Sequence, residues 1–346
     1  EMNIRDWSSD VCSSDLDAAP VATRLLRALK QNPAVWNLPA ALADELGAAR
    51  ELLFEAVEQL REQGYVIDFH PYFGFRLVDL PPHFLATEIQ DDLNTKHVAS
   101  RVETFQSVGS VIDAAWELAE QGAPDGAVVL AEEQARGRGR LGQTWTSPRG
   151  KGIYCAILCR PQSTPVDAEM LAHATVAGTL ALTLTLQDVA TLHAEARWPD
   201  DVFVGNRKIG HAQVETRNEL PDQFVVGISL NTQLTAQDLP EDLRRSATSI
   251  RIESGESFNH NRLVRYLLFS FDSLYQNLTR KRYRPVAAGL REYAHLVGRE
   301  VLIDRAEGEI RGRVASLEPA KISIKDAAGE TTTVPAEAVH QLRLVN

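Results

Sequence analysis

The sequence predicts an α+β protein whose central part is a mixed sheet with helices packed on it. Between residues 102 and 278, short apolar segments typical of strands alternate with longer segments typical of helices. A helix-rich segment at residues 20–80 precedes this region, and short strands separated by Gly, Asp and Glu follow Gly298. The chain of 346 residues is long enough for two or three domains, at about 150 residues per domain.

The first sixteen residues are unlike the rest of the chain. Residues 7–16 are rich in Ser and Asp, show no hydrophobic period and lack the apolar core segment of a signal peptide. They resemble translated read-through from a sequencing adapter. We therefore expect residues 1–16 to be a non-native leader, in which case Cys12 plays no part in the fold.

Residues 17–80 read as three helices followed by a hairpin. Apolar residues recur at helical spacing over 21–29, 38–46 and 50–63, and Gly47 stands at a C-cap position. Residues 65–77 then give two strands around a Pro/Gly turn. This order resembles a winged helix-turn-helix domain.

The third of these helices has an acidic surface. Arg50 and Arg61 are outnumbered there by Glu51, Glu55, Glu58 and Glu62. Because affinity for DNA comes largely from Lys and Arg that neutralise phosphates, we expect DNA binding by this domain to be weak. The alternative is a domain used for contacts within the protein or a dimer.

The central region, 81–297, begins with a linker at Pro81 and a short polar helix. Its later elements are predicted as helices at 111–120, 167–186 and 263–278, and as strands at 127–131, 152–159, 201–204, 209–216 and 223–229. After Gly298, strands at 300–304, 308–316, 321–325 and 331–334 suggest a small barrel.

The composition argues against two classes of protein, general nucleic-acid binders and membrane-spanning proteins. The net charge of −11 argues against a general nucleic-acid binder, which is usually basic. No apolar run reaches about 18 residues, so we expect no membrane span. Cys155 and Cys159 lie four apart in one predicted strand and so share a face, as reduced core cysteines of a cytoplasmic protein would.

The loop at residues 132–145 carries the clearest chemical signal. It contains Gln134, the run Gly137, Arg138, Gly139 and Arg140, and then Trp145. Arginine offers a planar fork of donors for carboxylate or phosphate, and glycine lets the backbone approach a ligand closely. A cationic loop of this composition suits an anionic small molecule.

Three more segments follow this arginine loop (residues 132–145). They read Arg-Trp-Pro-Asp-Asp at 197–201, Lys-Ile-Gly at 208–210 and Gly-Ile-Ser-Leu-Asn at 227–231, and Ser110 precedes the helix at 111–120. Their order and spacing resemble the biotin–protein ligase family, which includes biotin operon repressors. The resemblance covers residues 20–346 and implies a winged helix-turn-helix at 17–80, a ligase domain at 81–297 and an SH3-like barrel at 298–346.

The resemblance also implies a function. Members of this family join biotin to ATP, give biotinyl-adenylate and pyrophosphate, and pass the biotinyl group to a lysine of a biotin carboxyl carrier domain. ATP is expected to enter as its Mg²⁺ complex, as in most ATP sites. No His-x-x-His or His-Glu-x-x-His spacing indicates a zinc site. The partners implied are biotin, ATP and the carrier domain, and two copies are expected to form a homodimer through sheet edges.

The site residues implied by the resemblance fall into three groups. Arg140 and Arg197 are the candidate catalytic residues. The nucleotide is expected to contact Arg140, Trp145 and Asn231. The biotin-contacting set is Ser110, Gln134, Gly137, Arg138, Gly139, Arg140 and Arg197.

The chain departs from the family pattern at several positions. Arg197 stands where lysine is usual, and Asp200 stands where asparagine is usual and could pair with Arg197. Val111 and Ile112 cannot hydrogen-bond through their side chains, and His211 occupies a glycine position. Two alternatives therefore remain open: a non-catalytic biotin-sensing regulator on the same fold, or a ligase for another acyl group such as lipoate.

Overall fold

The structure is a computed structural model that describes residues 19–91, 93–162 and 165–345. The chain divides into two compact units, which meet in sequence between Pro82 and His83. The leader at residues 1–16, with Cys12, lies outside the described residues, so the expectation for it stays untested.

The first unit contains three helices and a hairpin, as the sequence predicts. The helices are α1 (Val21–Gln31), α2 (Pro39–Leu46) and α3 (Arg50–Glu62), and the antiparallel strands are β1 (Val66–His70) and β2 (Gly74–Asp79). Gly47 ends α2 in the left-handed conformation, with φ 58°. The fully buried side chains Leu25, Leu29, Leu42, Leu53 and Phe75 form the core of this unit.

The second unit is built on a seven-stranded mixed sheet. Its strands are β3 (Val102–Phe105), β4 (Val128–Ala131), β5 (Gly152–Cys159), β6 (Ala194–Arg197), β7 (Asp201–Val204), β8 (Arg207–Thr216) and β9 (Phe224–Asn231). The strand order is β3-β4-β5-β9-β8-β7-β6. Only the pair β3 and β4 is parallel, and the other neighbours are antiparallel. This confirms the predicted mixed α+β class.

Helices cover both faces of this sheet. They are α4 (Ala86–Gln90), α5 (Val111–Glu120), α6 (Ala168–Asp188), α7 (Ile250–Ser254), α8 (His260–Leu278) and α9 (Arg284–Ala294). Trp116 of α5 packs with Val129 and Tyr154 on one face. Helices α6, α8 and α9 share a core cluster with Cys155 and Cys159 on the other face. The two cysteines are buried and free, as predicted, and burial raises the pKa of the Cys155 thiol to about 12.

Four elements of this unit escape prediction from the sequence, among them the short helix α7. Strands β3 and β6 are four residues long and lie at the two edges of the sheet, where a strand pairs on one side only. Strand β6 reads Ala-Glu-Ala-Arg and lacks the β-branched and aromatic residues that favour strands. Helix α9 starts with a proline in its first turn and follows a run of basic residues.

Helix α6 is long and apolar enough, by length and composition, to cross a membrane. It is the one helix of this kind in the described part of the chain, and 72% of its most apolar stretch is buried inside the structure. Four threonine hydroxyls of this helix donate hydrogen bonds to the backbone carbonyls one turn earlier: those of Thr175, Thr179, Thr183 and Thr185. Its environment is that of a helix in a protein core.

The C-terminal strands form an antiparallel sheet in the same compact unit. They are β10 (Glu300–Asp304), β11 (Ile310–Glu318), β12 (Lys321–Lys325), β13 (Thr331–Pro335) and β14 (Gln341–Leu344), in the order β13-β12-β11-β10-β14. Val301, Ile303 and Ile322 belong to the same core cluster as the helices on the central sheet. The C-terminal sheet is therefore packed onto the central domain through apolar contacts.

Candidate active site

A cavity of about 600 Å³ opens in the second unit, where three parts of the fold meet. One wall comes from the end of the arginine loop, a second from strands β6 to β8, and a third from β14 and the loop at 234–247. Its polar lining includes Trp145, Arg197, Asp201, Lys208, Asn231 and His340, and its apolar lining includes Phe203, Leu234, Leu239, Leu243 and Leu342.

Arg197 is a buried cation in the wall of this cavity. It is 5% exposed at the end of β6, and its guanidinium lies 4.2 Å from the centre of the Phe203 ring. The nearest carboxylate, on Glu195, is 3.9 Å from Nη2, and this nitrogen has no hydrogen-bond partner among the described residues. Burial lowers the pKa of Arg197. A buried cation with an unfilled donor favours an anionic ligand.

Lys208 supplies a second cation to the cavity. Its Nζ lies 2.5 Å from a carboxylate oxygen of Asp201 and 5.5 Å from the centre of the Trp145 ring. The sequence motif at 208–210 contains Lys208 but does not by itself indicate a role for it. The signal that points to it is the register of the sheet, which sets the lysine on β8 opposite β7.

Arg138 is held by two carboxylates of the protein itself. Its guanidinium makes two hydrogen bonds to Asp113 at 2.8 and 3.0 Å and two to Glu215 at 2.9 and 3.0 Å. These hydrogen bonds raise the pKa of Arg138 and lower that of Asp113. The side chain therefore ties the arginine loop to helix α5 and strand β8.

Arg140 points toward the C-terminal sheet. Its Nε donates to Asp200 at 2.9 Å, and its terminal nitrogens donate to the carbonyls of Ala336 and Val339 at 3.1 and 2.5 Å. Asp200 is thus paired with Arg140, and the expected pair with Arg197 is wrong because Arg197 packs on Phe203. Burial, with the neighbouring charge of Asp201, raises the pKa of Asp200 to about 6 despite Arg140.

Ser110 and Gln134 lie side by side at the start of α5. Gln134 accepts from the backbone N–H of Val111 at 3.0 Å and donates to Ser147 at 3.0 Å. The Ser110 hydroxyl caps α5 by accepting from the backbone N–H of Ile112 at 3.3 Å. Both side chains thus fix the junction between the arginine loop and the helix.

The predicted site residues divide into two groups. Trp145, Arg197 and Asn231 line the cavity, and Asn231 also donates to the carbonyl of Thr248 at 3.0 Å. The others, from Ser110 to Arg140, lie outside the lining of that cavity and are engaged in contacts within the protein. Within the described ranges, no group of three or more His, Cys, Asp or Glu side chains is placed to hold a metal ion.

The glycines of the arginine loop differ in the space around them. A Cβ on Gly137 would lie 2.3 Å from the carbonyl oxygen of Trp145 and 2.5 Å from the Ser147 hydroxyl. A Cβ on Gly139 would meet nothing closer than the imidazole of His211, at 3.7 Å. The backbone at position 137 therefore packs so closely on Trp145 and Ser147 that only glycine fits there.

Comparison with known proteins points to one family. Residues 105–231, which hold the arginine loop and strands β4 to β9, match the model of the Biotin/lipoate A/B protein ligase family. The bifunctional ligase/repressor BirA of Bacillus spizizenii is 26% identical over 283 residues, covering 80% of this chain and 85% of that protein. The biotin--[acetyl-CoA-carboxylase] ligase of Mycobacterium tuberculosis is 26% identical over 222 residues, covering 63% of this chain and 80% of that protein.

A solved structure shares the fold. The biotin protein ligase from Aquifex aeolicus, in complex with biotin and ATP, has a TM-score of 0.61 and 22% identity, covering 71% of this chain and all of that one. The mixed sheet, the arginine loop and the order of the motifs agree with this likeness. In sequence and in fold the chain resembles the biotin protein ligases.

Proposed function

We propose that this chain is an ATP-dependent biotin–protein ligase. It joins biotin to the α-phosphate of ATP and passes the biotinyl group to a lysine of a biotin carboxyl carrier domain. One observation carries this proposal: Arg197 is a buried guanidinium with an unfilled donor, in the wall of a cavity that a second cation, Lys208, also lines.

The chemistry explains why two cations are needed there. A biotin carboxylate oxygen attacks the α-phosphorus, a new C–O–P link forms, and the bond to the β-phosphate breaks to release pyrophosphate. Both reactants are anions, so fixed positive groups must offset their repulsion before the reaction. Arg197 and Lys208 hold the carboxylate and the α-phosphate together, and Mg²⁺ enters with the other phosphates of ATP.

The second step needs no nucleophile from this chain. The neutral amine of the carrier lysine attacks the acyl carbon of biotinyl-adenylate, an amide forms, and AMP leaves with the electrons of the C–O bond. The cavity extends between the loop at 234–247, which contributes Leu234, Leu239 and Leu243 to its lining, and strand β14, so that the nucleotide has a wall on each side. Trp145 and Asn231 line the same space.

The arginine loop positions the ligands in this proposal. Arg138 and Arg140 are already paired with protein carboxylates, so their role is to fix the loop over the sheet. Either arginine could bind the substrate carboxylate only while it also kept its protein carboxylate. Ser110, Gln134, Gly137 and Gly139 shape the junction through which the acyl chain passes. Arg197, which has an unfilled donor, then carries the direct contact to phosphate, and Lys208 assists it while sharing its ion pair with Asp201.

The domain plan is part of the same proposal. Residues 17–80 form a winged helix-turn-helix, residues 81–297 the ligase domain and residues 298–346 an SH3-like barrel. The three helices and hairpin of the first unit and the five antiparallel strands after Gly298 support it. Four relatives are described as ligase/repressors, but the exposed acidic side chains of α3 favour weak DNA binding here.

The test is biotin- and ATP-dependent pyrophosphate release, followed by transfer of labelled biotin to a carrier domain. We expect Arg197→Ala to abolish labelling and Arg197→Lys to retain part of it, while Arg291→Ala, at an exposed arginine of α9, leaves it unchanged. Unchanged labelling by Arg197→Ala would remove Arg197 from the mechanism. Wild-type protein that binds biotin but releases no pyrophosphate would be a sensor, and turnover with lipoate alone would identify another acyl ligase.

A further inference from the structure

Strand β8 forms a polar floor beneath the arginine loop. Successive side chains of a strand point to opposite faces, so residues 211, 213 and 215 share one face of this strand. Glu215 binds the Arg138 guanidinium, and the Gln213 amide donates to the Arg138 carbonyl at 3.1 Å. His211 continues this row, with its Nε2 3.7 Å from the position of a Cβ on Gly139.

His211 differs from its two neighbours because part of its hydrogen-bonding capacity is unused. Its side chain is buried at 2% exposure, and Nδ1 has no hydrogen-bond partner among the described residues. Burial and the nearby charge of Lys208 keep its pKa well below the ordinary value, so the imidazole is neutral at pH 7. A buried polar nitrogen without a partner usually has a functional explanation.

The place of His211 in the fold gives that explanation. Its ring packs edge-on against Trp145 at 4.4 Å between centroids, and its registered partner on β7 is Asp201. Trp145 and Asp201 both line the cavity. His211 therefore adjoins two residues of the cavity wall, on the side where the arginine loop covers the sheet.

We propose that His211 is a specificity-determining residue, whose unpaired Nδ1 hydrogen-bonds a polar group of the acyl substrate lying between β8 and the arginine loop. This inference rests on the proposed function and names the class of acid. The site selects carboxylic acids that carry a hydrogen-bonding group beyond the carboxylate, such as biotin, over aliphatic acids of similar length. A site built to pair a polar group discriminates strongly against an analogue that lacks it.

The neutral imidazole suits this task. It carries one N–H and one lone pair, so Nδ1 donates or accepts according to the tautomer. Gln213 cannot substitute for it, because its amide nitrogen is held by the loop backbone. Val111 and Ile112, buried at the start of α5, offer no side-chain hydrogen bond. The indole Nε1 of Trp145, whose ring packs on His211, is also buried without a partner among the described residues, so these two rings hold two unused nitrogens side by side.

The test compares biotin and octanoate binding by calorimetry, in wild-type protein and in three variants. His211→Phe keeps a ring against Trp145 but removes both nitrogens, and His211→Asn restores a polar atom near the Nδ1 position. His173→Phe is the matched control: His173 is a buried histidine of α6 that stacks on Tyr283 and pairs with the Glu169 carbonyl, away from the cavity.

We expect His211→Phe to weaken biotin binding about tenfold, the effect of losing one hydrogen bond to a buried group. Octanoate and ATP binding should be unchanged, and His211→Asn should recover part of the loss. An equal loss for both acids, a similar loss in His173→Phe, or unchanged biotin binding would overturn the inference. Absence of biotin binding to the wild-type protein would overturn it too.

Pyrophosphate release is measured in parallel, so that the two proposals fail separately. Wild-type protein that binds biotin but does not turn over contradicts the ligase function and leaves the binding comparison to decide the role of His211. Turnover with an unchanged biotin affinity in His211→Phe contradicts only the role of His211.

Discussion

The guanidinium of Arg140 lies 2.9 Å from the carboxylate of Asp200, and the same guanidinium donates to the carbonyls of Ala336 and Val339. This single side chain therefore joins the arginine loop, the turn between β6 and β7, and the C-terminal sheet. Trp198 adds a second link, because its indole N–H donates to the carbonyl of Pro319 at 3.0 Å. These hydrogen bonds attach the C-terminal sheet to the segments beside the cavity.

Replacing Arg140 should loosen this junction. In Arg140→Ala, Asp200 is left buried without its cation and two carbonyls lose their donor, so we expect the free energy of unfolding to fall by about 1–3 kcal/mol. Denaturant unfolding measures the change. The matched control is Arg311→Ala, which removes an exposed ion pair with Glu300 in the same sheet and should cost well under about 1 kcal/mol. Equal losses in the two variants would contradict the role given to Arg140.

The pKa of Asp200 predicts a specific pH dependence. The folded value of about 6 lies above the ordinary value of 3.8, so the carboxyl contributes stability below pH 4 and loses it as the pH rises to 6. Asp200→Asn lacks this titration. We expect the melting temperature of the variant, relative to wild type, to rise between pH 4 and 6 and to stay level above pH 6. A difference that is independent of pH would show that Asp200 titrates normally.

The two glycines of the arginine loop should respond differently to alanine. In Gly137→Ala, the new Cβ meets the Trp145 carbonyl at 2.3 Å, so the loop must shift, and we expect carrier labelling to fall more than tenfold. In Gly139→Ala, the nearest atom is 3.7 Å away, and φ at this residue is −104°, which suits alanine. We expect labelling close to wild type. Equal loss in both would mean that the loop itself must rearrange at Gly139.

The N-terminal unit should bind DNA weakly. All four glutamates at 51, 55, 58 and 62 are exposed on α3, and DNA phosphates repel such a face. In gel-shift experiments with a duplex carrying the biotin-operon promoter, we expect no complex at submicromolar protein in about 150 mM salt. A variant with Glu55→Lys and Glu58→Lys should bind more tightly and with a steeper salt dependence. Tight binding by the wild-type protein would refute the electrostatic argument.

Prediction from the sequence succeeded where a segment carries its own pattern. The apolar run of β5 and the long apolar stretch of α6 mark elements that are buried on all sides, so their residues alone reveal them. Edge strands β3 and β6 carry no such pattern, because one side of each lacks a neighbour and their residues are mixed. Their existence depends on the adjacent strands β4 and β7, which supply the hydrogen bonds.

The candidate site shows the same division. Sequence motifs identified Trp145, Arg197 and Asn231, which line the cavity, because their spacing is fixed by strand and loop lengths. They did not assign Lys208 a role, and they assigned Arg138 to the ligand. Whether an arginine is free or already paired depends on residues far along the chain, such as Glu215, which lies 77 residues from Arg138.

The sequence by itself therefore determined the class of the fold, the order of most of its elements and the resemblance to a family, since these depend on local periodicity and on motif spacing. The tertiary structure decided which charged side chains are paired within the protein and which can bind a ligand. Pairing of Arg138 and Arg140 with distant carboxylates, burial of Arg197 with an unfilled donor, and the unpaired nitrogen of His211 all arise from contacts between segments far apart in the chain. The energy of a charge or a hydrogen-bonding group depends on its surroundings, and those surroundings exist only once the chain has folded.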